Sequence, residues 1–145
     1  MRRLALAAVL MVACRPGGDA TPATLTVSNP RAPAPTDTVT AAVYFTITAG
    51  PEADTLTGIT SGLARRAMLH TSERANGLRR MRHVPQLAIP AGGTVRLAPG
   101  GYHVMLEQLS RRPMLGDSVV VTLTFARAGV VRVAAPVIRY EDLDP

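Results

Sequence analysis

The chain has 145 residues, 47% of them hydrophobic, with sixteen arginines, no lysine and ten acidic residues, a net charge of +6. That length sets one domain. A single cysteine excludes a disulfide framework or a cysteine-pair metal site, and five aromatic residues in no stacking series argue against nucleic-acid recognition despite the basic charge.

Arg2 and Arg3 open the chain, and Leu4 to Ala13 follow as an apolar run of ten. Such a run is too short to cross a bilayer as a helix. With Met11-Val12-Ala13-Cys14 behind it, the segment reads as a secretory signal peptide cut before Cys14. Cys14 is then the expected site of lipidation, which anchors an exported, periplasmic or cell-envelope protein to a membrane. Met11 stands where a lipoprotein signal usually has leucine. The alternative is ordinary signal cleavage with an incidental cysteine. Residues 1–13 are therefore assigned to the signal, 14–23 to the lipidated cysteine and a Pro/Gly-rich tether (RPGGDATPA from Arg15), 24–140 to the folded domain, and 141–145 to an acidic end expected to fray. Without Arg2 and Arg3 the charge is fourteen arginines against ten acids, or +4.

Strand signals run through the domain. Thr24–Ser28, Ala42–Thr48, Thr55–Thr60, Arg66–Thr71, Leu78–Val84, Thr94–Leu97, Tyr102–Leu109, Ser118–Ala126 and Val130–Ala135 are rich in Val, Thr, Leu and Tyr and bounded by Gly, Pro, Asp and Asn. Arg31–Asp37 (RAPAPTD) is expected as a loop that proline keeps out of the sheet. Pro99-Gly100-Gly101 predicts a tight turn. Only Arg65–Gly77 has room for a helical turn. Many short strands with frequent turns mean an all-β sandwich or barrel.

All three histidines (His70, His83, His103) and three of the six methionines (Met68, Met81, Met105) fall within residues 68–105. Imidazole with thioether suits a soft ion, and thioether selects Cu(I) over oxygen-seeking cations. A blue-copper electron-transfer site needs a cysteine thiolate, which the domain lacks. Methionine keeps a soft donor in an oxidising compartment without forming disulfides.

His70, ten residues, Met81, twenty-one residues, His103, Val104 and Met105 resemble the copper motif of the periplasmic copper chaperone family PCu(A)C. The flanks AAVYFTITA (41–49), MLH (68–70), GLRRM (77–81), VRLAPGGYHVML (95–106) and VVTLTF (120–125) are also similar, and the likeness covers roughly residues 24–137. The resemblance implies a cupredoxin-like Greek-key β-sandwich. It also implies that His70, Met81, His103 and Met105 bind Cu(I), and that the protein is not an enzyme but a metallochaperone. The implied recipient is a cytochrome c oxidase subunit, or another thiol-bearing copper-assembly protein. A copper-buffering lipoprotein without specific delivery is the competing reading.

Strand alternation places His103, Met105 and Glu107 opposite Val104 and Leu106, and Met68 and His70 opposite Leu69. Each ligand candidate therefore lies off the core, and a shallow site is expected. Met68 is read as a packing residue, His83 as an exposed or supporting histidine, Met114 as a core plug near Leu115, and Glu107 as a solvated residue. The arginines near Met81 (Arg79, Arg80, Arg82) are either a solvated face or a basic rim for an acidic partner.

Overall fold

The computed structural model describes residues 24–143, and Cys14 with the signal and tether lies outside them. Segments rich in β-branched and apolar residues are extended, as their fit to a pleated, half-buried surface dictates. The strands are β1 (Leu25–Pro33), β2 (Thr40–Ala49), β3 (Asp54–Thr60), β4 (Ala64–Ala75), β5 (Leu78–His83), β6 (Leu87–Ile89), β7 (Thr94–Arg96), β8 (Tyr102–Leu109), β9 (Ser118–Phe125) and β10 (Gly129–Ile138), followed by a 3-10 turn at Tyr140–Asp142.

Their order in space is β5-β4-β8-β2-β1-β10-β9-β3-β6, with β7 also against β2. Neighbours such as β8 and β2, or β9 and β3, are far apart in sequence, so the chain crosses over as a Greek key does. The described ladders are antiparallel except β1 with β10, which run parallel at Ala32–Val137 and Pro33–Ile138. That junction joins two layers into the expected all-β sandwich. Val43, Phe45, Ile47, Val104 and Leu106 from one layer, and Leu56, Val121, Leu123, Val133 and Ala135 from the other, form the buried core. Fully burying each large aliphatic or aromatic side chain contributes about 1.5–3 kcal/mol.

Two expectations are corrected. Arg31–Pro33 belongs to β1 rather than to a loop. Pro30 falls in the register shift between Ser28 and Arg31, beside Asn29 at φ 50°, and Pro33 is the last strand residue. At a bulge or a strand end a missing N–H costs no ladder bond. Nor is there a helical turn in 65–77, because β4 runs unbroken to Ala75. Asn76 (φ 52°) and Gly77 (φ 76°) then close a two-residue hairpin into β5. Both turn residues need positive φ, which Asn-Gly supplies.

Candidate metal centre

The Asn76-Gly77 turn fixes the register of β4 against β5, and that register builds the centre. Counting outward from Ala75–Leu78, Ser72 faces Met81 and His70 faces His83. On its other side β4 pairs with β8, setting His70 opposite His103 and Met68 opposite Met105. The three histidines thus form one row across three strands. The His70 ring stands nearly edge-on to both neighbours, its centroid 6.0 Å from that of His83 and 5.9 Å from that of His103. Tyr44 of β2 lies beyond His103, ring centroids 6.4 Å apart. The methionines flank this row: Met68 and Met105 on one side, Met81 on the other, each about 6.6 Å away along the strand at roughly 3.3 Å per residue.

All four expected ligands therefore share the outer face of one layer. They do not form a uniformly shallow site, however. Met81 on edge strand β5 is 63% exposed, whereas His103 is only 3% exposed. The sequence pattern placed His103 off the core correctly. Burial comes instead from its position inside the sheet, between β4 and β2, with Tyr44 beside it.

The turn before β8 orients His103. Pro99 and Gly100 (φ 83°) form a turn closed by the Gly101 N–H on the Ala98 carbonyl, at 3.0 Å. The Gly101 carbonyl then accepts from Nδ1 of His103 at 3.1 Å and from the Ser72 N–H at 3.1 Å. A carbonyl only accepts, so Nδ1 carries the proton and the neutral ring keeps its lone pair on Nε2. That Nε2 is buried with no hydrogen-bond partner, and so is Nδ1 of His70. Leaving a buried polar atom unmatched costs about 1–3 kcal/mol. Two such nitrogens on neighbouring rings fit a cation that accepts lone pairs. Burial holds the His70 imidazole below its ordinary pKa, His103 and His83 push the same way, and Glu107 partly offsets them. Among the described residues no group of three or more His, Cys, Asp and Glu side chains is arranged to hold a metal. The thioethers of Met81 and Met105 are further soft donors on the same face.

The remaining candidates sort by their contacts. Glu107 pairs with Arg66 at 2.9 Å, one row beyond Met105. Met114 is 53% exposed rather than a core plug, because it sits in the Met114–Asp117 turn, where its N–H donates to Asp117. The basic rim is divided. Arg82 pairs with Glu73 at 2.7 Å, and Arg80 and Arg82 alternate away from Met81. Arg79 stays on the ligand face, directly opposite Arg74 at the hairpin tip. Sequence reading missed that His83 faces His70. The signal was present: the Asn-Gly turn fixes the pairing once both flanking segments are read as strands.

Comparison with known proteins bears on this centre. The model of the family described as "Putative lipoprotein LpqE-like" matches residues 5–137. A curated protein of Leifsonia xyli subsp. xyli, "Putative lipoprotein Lxx21020", is 40% identical over 81 residues, 55% of this chain and 49% of that protein. The chain thus matches about half the length of that relative. Among solved structures, the "Copper-bound PCuAC domain from PmoF2" is 26% identical, with TM-score 0.67, over 79% of this chain and 92% of that one. "CuI-DR1885" from Deinococcus radiodurans is 34% identical, with TM-score 0.61, over 86% and 83%.

Proposed function

The chain belongs to the LpqE-like family and has the PCuAC fold, and on that premise we propose that it is an exported Cu(I) carrier whose His70, Met81, His103 and Met105 hold the ion for delivery. The observation that carries the reading is the pair of buried, unmatched nitrogens, His70 Nδ1 and His103 Nε2, with thioethers in the rows on either side. The likeness to a Cu(I)-bound and a copper-bound PCuAC structure supports it. Copper is the cargo here. Two imidazoles and two thioethers are neutral, so the occupied site carries only the ion's own charge. An incoming thiolate is anionic and softer, and it displaces a thioether. Exposed Met81 is the ligand most open to that displacement. This favours delivery over sequestration, since a sequestering site gains nothing from a ligand at the surface. The recipient in this reading is a cytochrome c oxidase copper site or another thiol-bearing assembly protein. Arg74 and Arg79, on the ligand face, dock it electrostatically.

The test is Cu(I) binding by the domain from residue 24, measured by competition with a chromophoric chelator. X-ray absorption and transfer to a dithiol-bearing apo acceptor complete it. One Cu(I) per chain with mixed nitrogen and sulfur neighbours is expected. His103→Ala should weaken binding at least a hundredfold with the fold retained. Salt should slow transfer, and Arg74→Gln with Arg79→Gln should remove most of that dependence. Neighbours of nitrogen and oxygen only would overturn the thioether assignment. A protein that binds Cu(I) yet never yields it would be a buffer.

A further inference from the structure

We propose that His83 is an exchange ligand for copper: together with His70 and Met81 it forms an outer position through which Cu(I) passes between the buried donors and an acceptor. The inference rests on the Cu(I) reading above. It comes from a repeated arrangement around His70. On β8, His103 and Met105 are two residues apart on one face; on β5, Met81 and His83 are two residues apart on the same face. His70 lies in register between the two strands, with nearly equal ring separations of 6.0 Å and 5.9 Å. The inner pair is shielded, His103 being 3% exposed, while Met81 on the outer pair is 63% exposed and His83 is exposed with it. Three rings in a row cannot all reach one ion, but His70 can reach an ion shared with either neighbour.

Exchange then needs no uncoordinated copper. Bonds from the ion to His103 Nε2 and Met105 Sδ break, and a bond to an imidazole lone pair of His83 forms, while His70 and Met81 stay attached. The acceptor's thiolate adds next and displaces Met81, the exposed thioether, after which His70 and His83 leave. Copper remains Cu(I) throughout, so no electron moves. Access for the thiolate is present. Met81 and His83 both lie exposed on the outer face of edge strand β5, where no further strand covers them among the described residues.

The experiment compares His83→Ala, His83→Gln and His83→Met with the unchanged domain, reading Cu(I) affinity by chelator competition and transfer by stopped flow to a dithiol acceptor. His83 is exposed on an edge strand, so folding should survive all three changes. His83→Ala and His83→Gln should alter affinity by less than about threefold and slow transfer at least tenfold. His83→Met restores a soft donor and should recover most of the rate. A rate within twofold of the unchanged domain in His83→Ala would overturn the exchange role. So would an affinity loss as large as that of His103→Ala, which would make His83 a resting ligand. Failure of the unchanged domain to bind Cu(I) at all would instead overturn the carrier reading, and this inference with it.

Discussion

His70 shows how one side chain can couple a binding site to stability. Its imidazole is held below the ordinary value of 6.5 first by burial and then by His103 and His83. The fold therefore favours the neutral ring. As pH falls through about 6.5 the unfolded chain takes up the proton before the folded chain does, so stability declines until the folded ring also titrates, and it is regained above that range. The apo domain should melt at a lower temperature at pH 5 than at pH 7.5. In His70→Gln part of that difference should vanish, which thermal melts across pH can check. An unchanged pH slope in the variant would remove His70 from the account. The same neutral ring is the form able to ligate a metal, so copper affinity should weaken over the same acid range as protons compete for the lone pairs.

At the scale of elements, hairpins set the geometry and one carboxylate secures the layer packed behind the one that carries the site. Asp54, at the start of β3, is 6% exposed. Its Oδ1 accepts from the Thr55 N–H at 2.7 Å and the Arg127 N–H at 2.9 Å, and its Oδ2 accepts from the Ala128 N–H at 2.9 Å. Arg127 and Ala128 belong to the turn between β9 and β10. Burial raises the Asp54 pKa, but the Ala128, Arg127 and Thr55 donors outweigh it and hold the carboxyl below 3.8. The stabilisation is present above the unfolded value and is lost as pH falls through the folded one. Asp54→Ala leaves three donors unmatched and should cost about 1–3 kcal/mol in urea melts, with copper affinity unchanged because β3 supplies no ligand. A loss below about 0.3 kcal/mol would show that water replaces the carboxylate.

For the whole molecule, the open question is what fixes this domain in the cell. The family and the curated relative are both described as lipoproteins, in keeping with the reading of Cys14 as a lipid-bearing residue. Several acyl chains at that cysteine would give lasting membrane attachment, each buried CH₂ contributing roughly 0.8 kcal/mol. Fractionation of cells carrying Cys14→Ser should move the protein out of the membrane fraction and remove the acyl mass from its N-terminus. Retention in the membrane at unchanged mass would refute the anchor.

The sequence by itself determined the fold class and which soft donor side chains the chain has to offer. Alternation along Tyr102–Leu109 and Ser118–Phe125 depends only on the two-residue period of a strand, which local sequence carries in full. The family resemblance rested likewise on spacings along the chain. What only the tertiary structure decided was which strands lie side by side. The pairing of β4 with β8 joins residues more than thirty positions apart, and nothing local encodes it. That pairing sets His70 against His103, buries His103 beneath an apparently polar strand face, and leaves two imidazole nitrogens without partners. The strand character of Arg31–Pro33 was likewise decided by its pairing with β10 at the far end of the chain. Burial and unmet hydrogen bonds are properties of neighbours in space, and the order of residues along a strand specifies only what each one brings to that meeting.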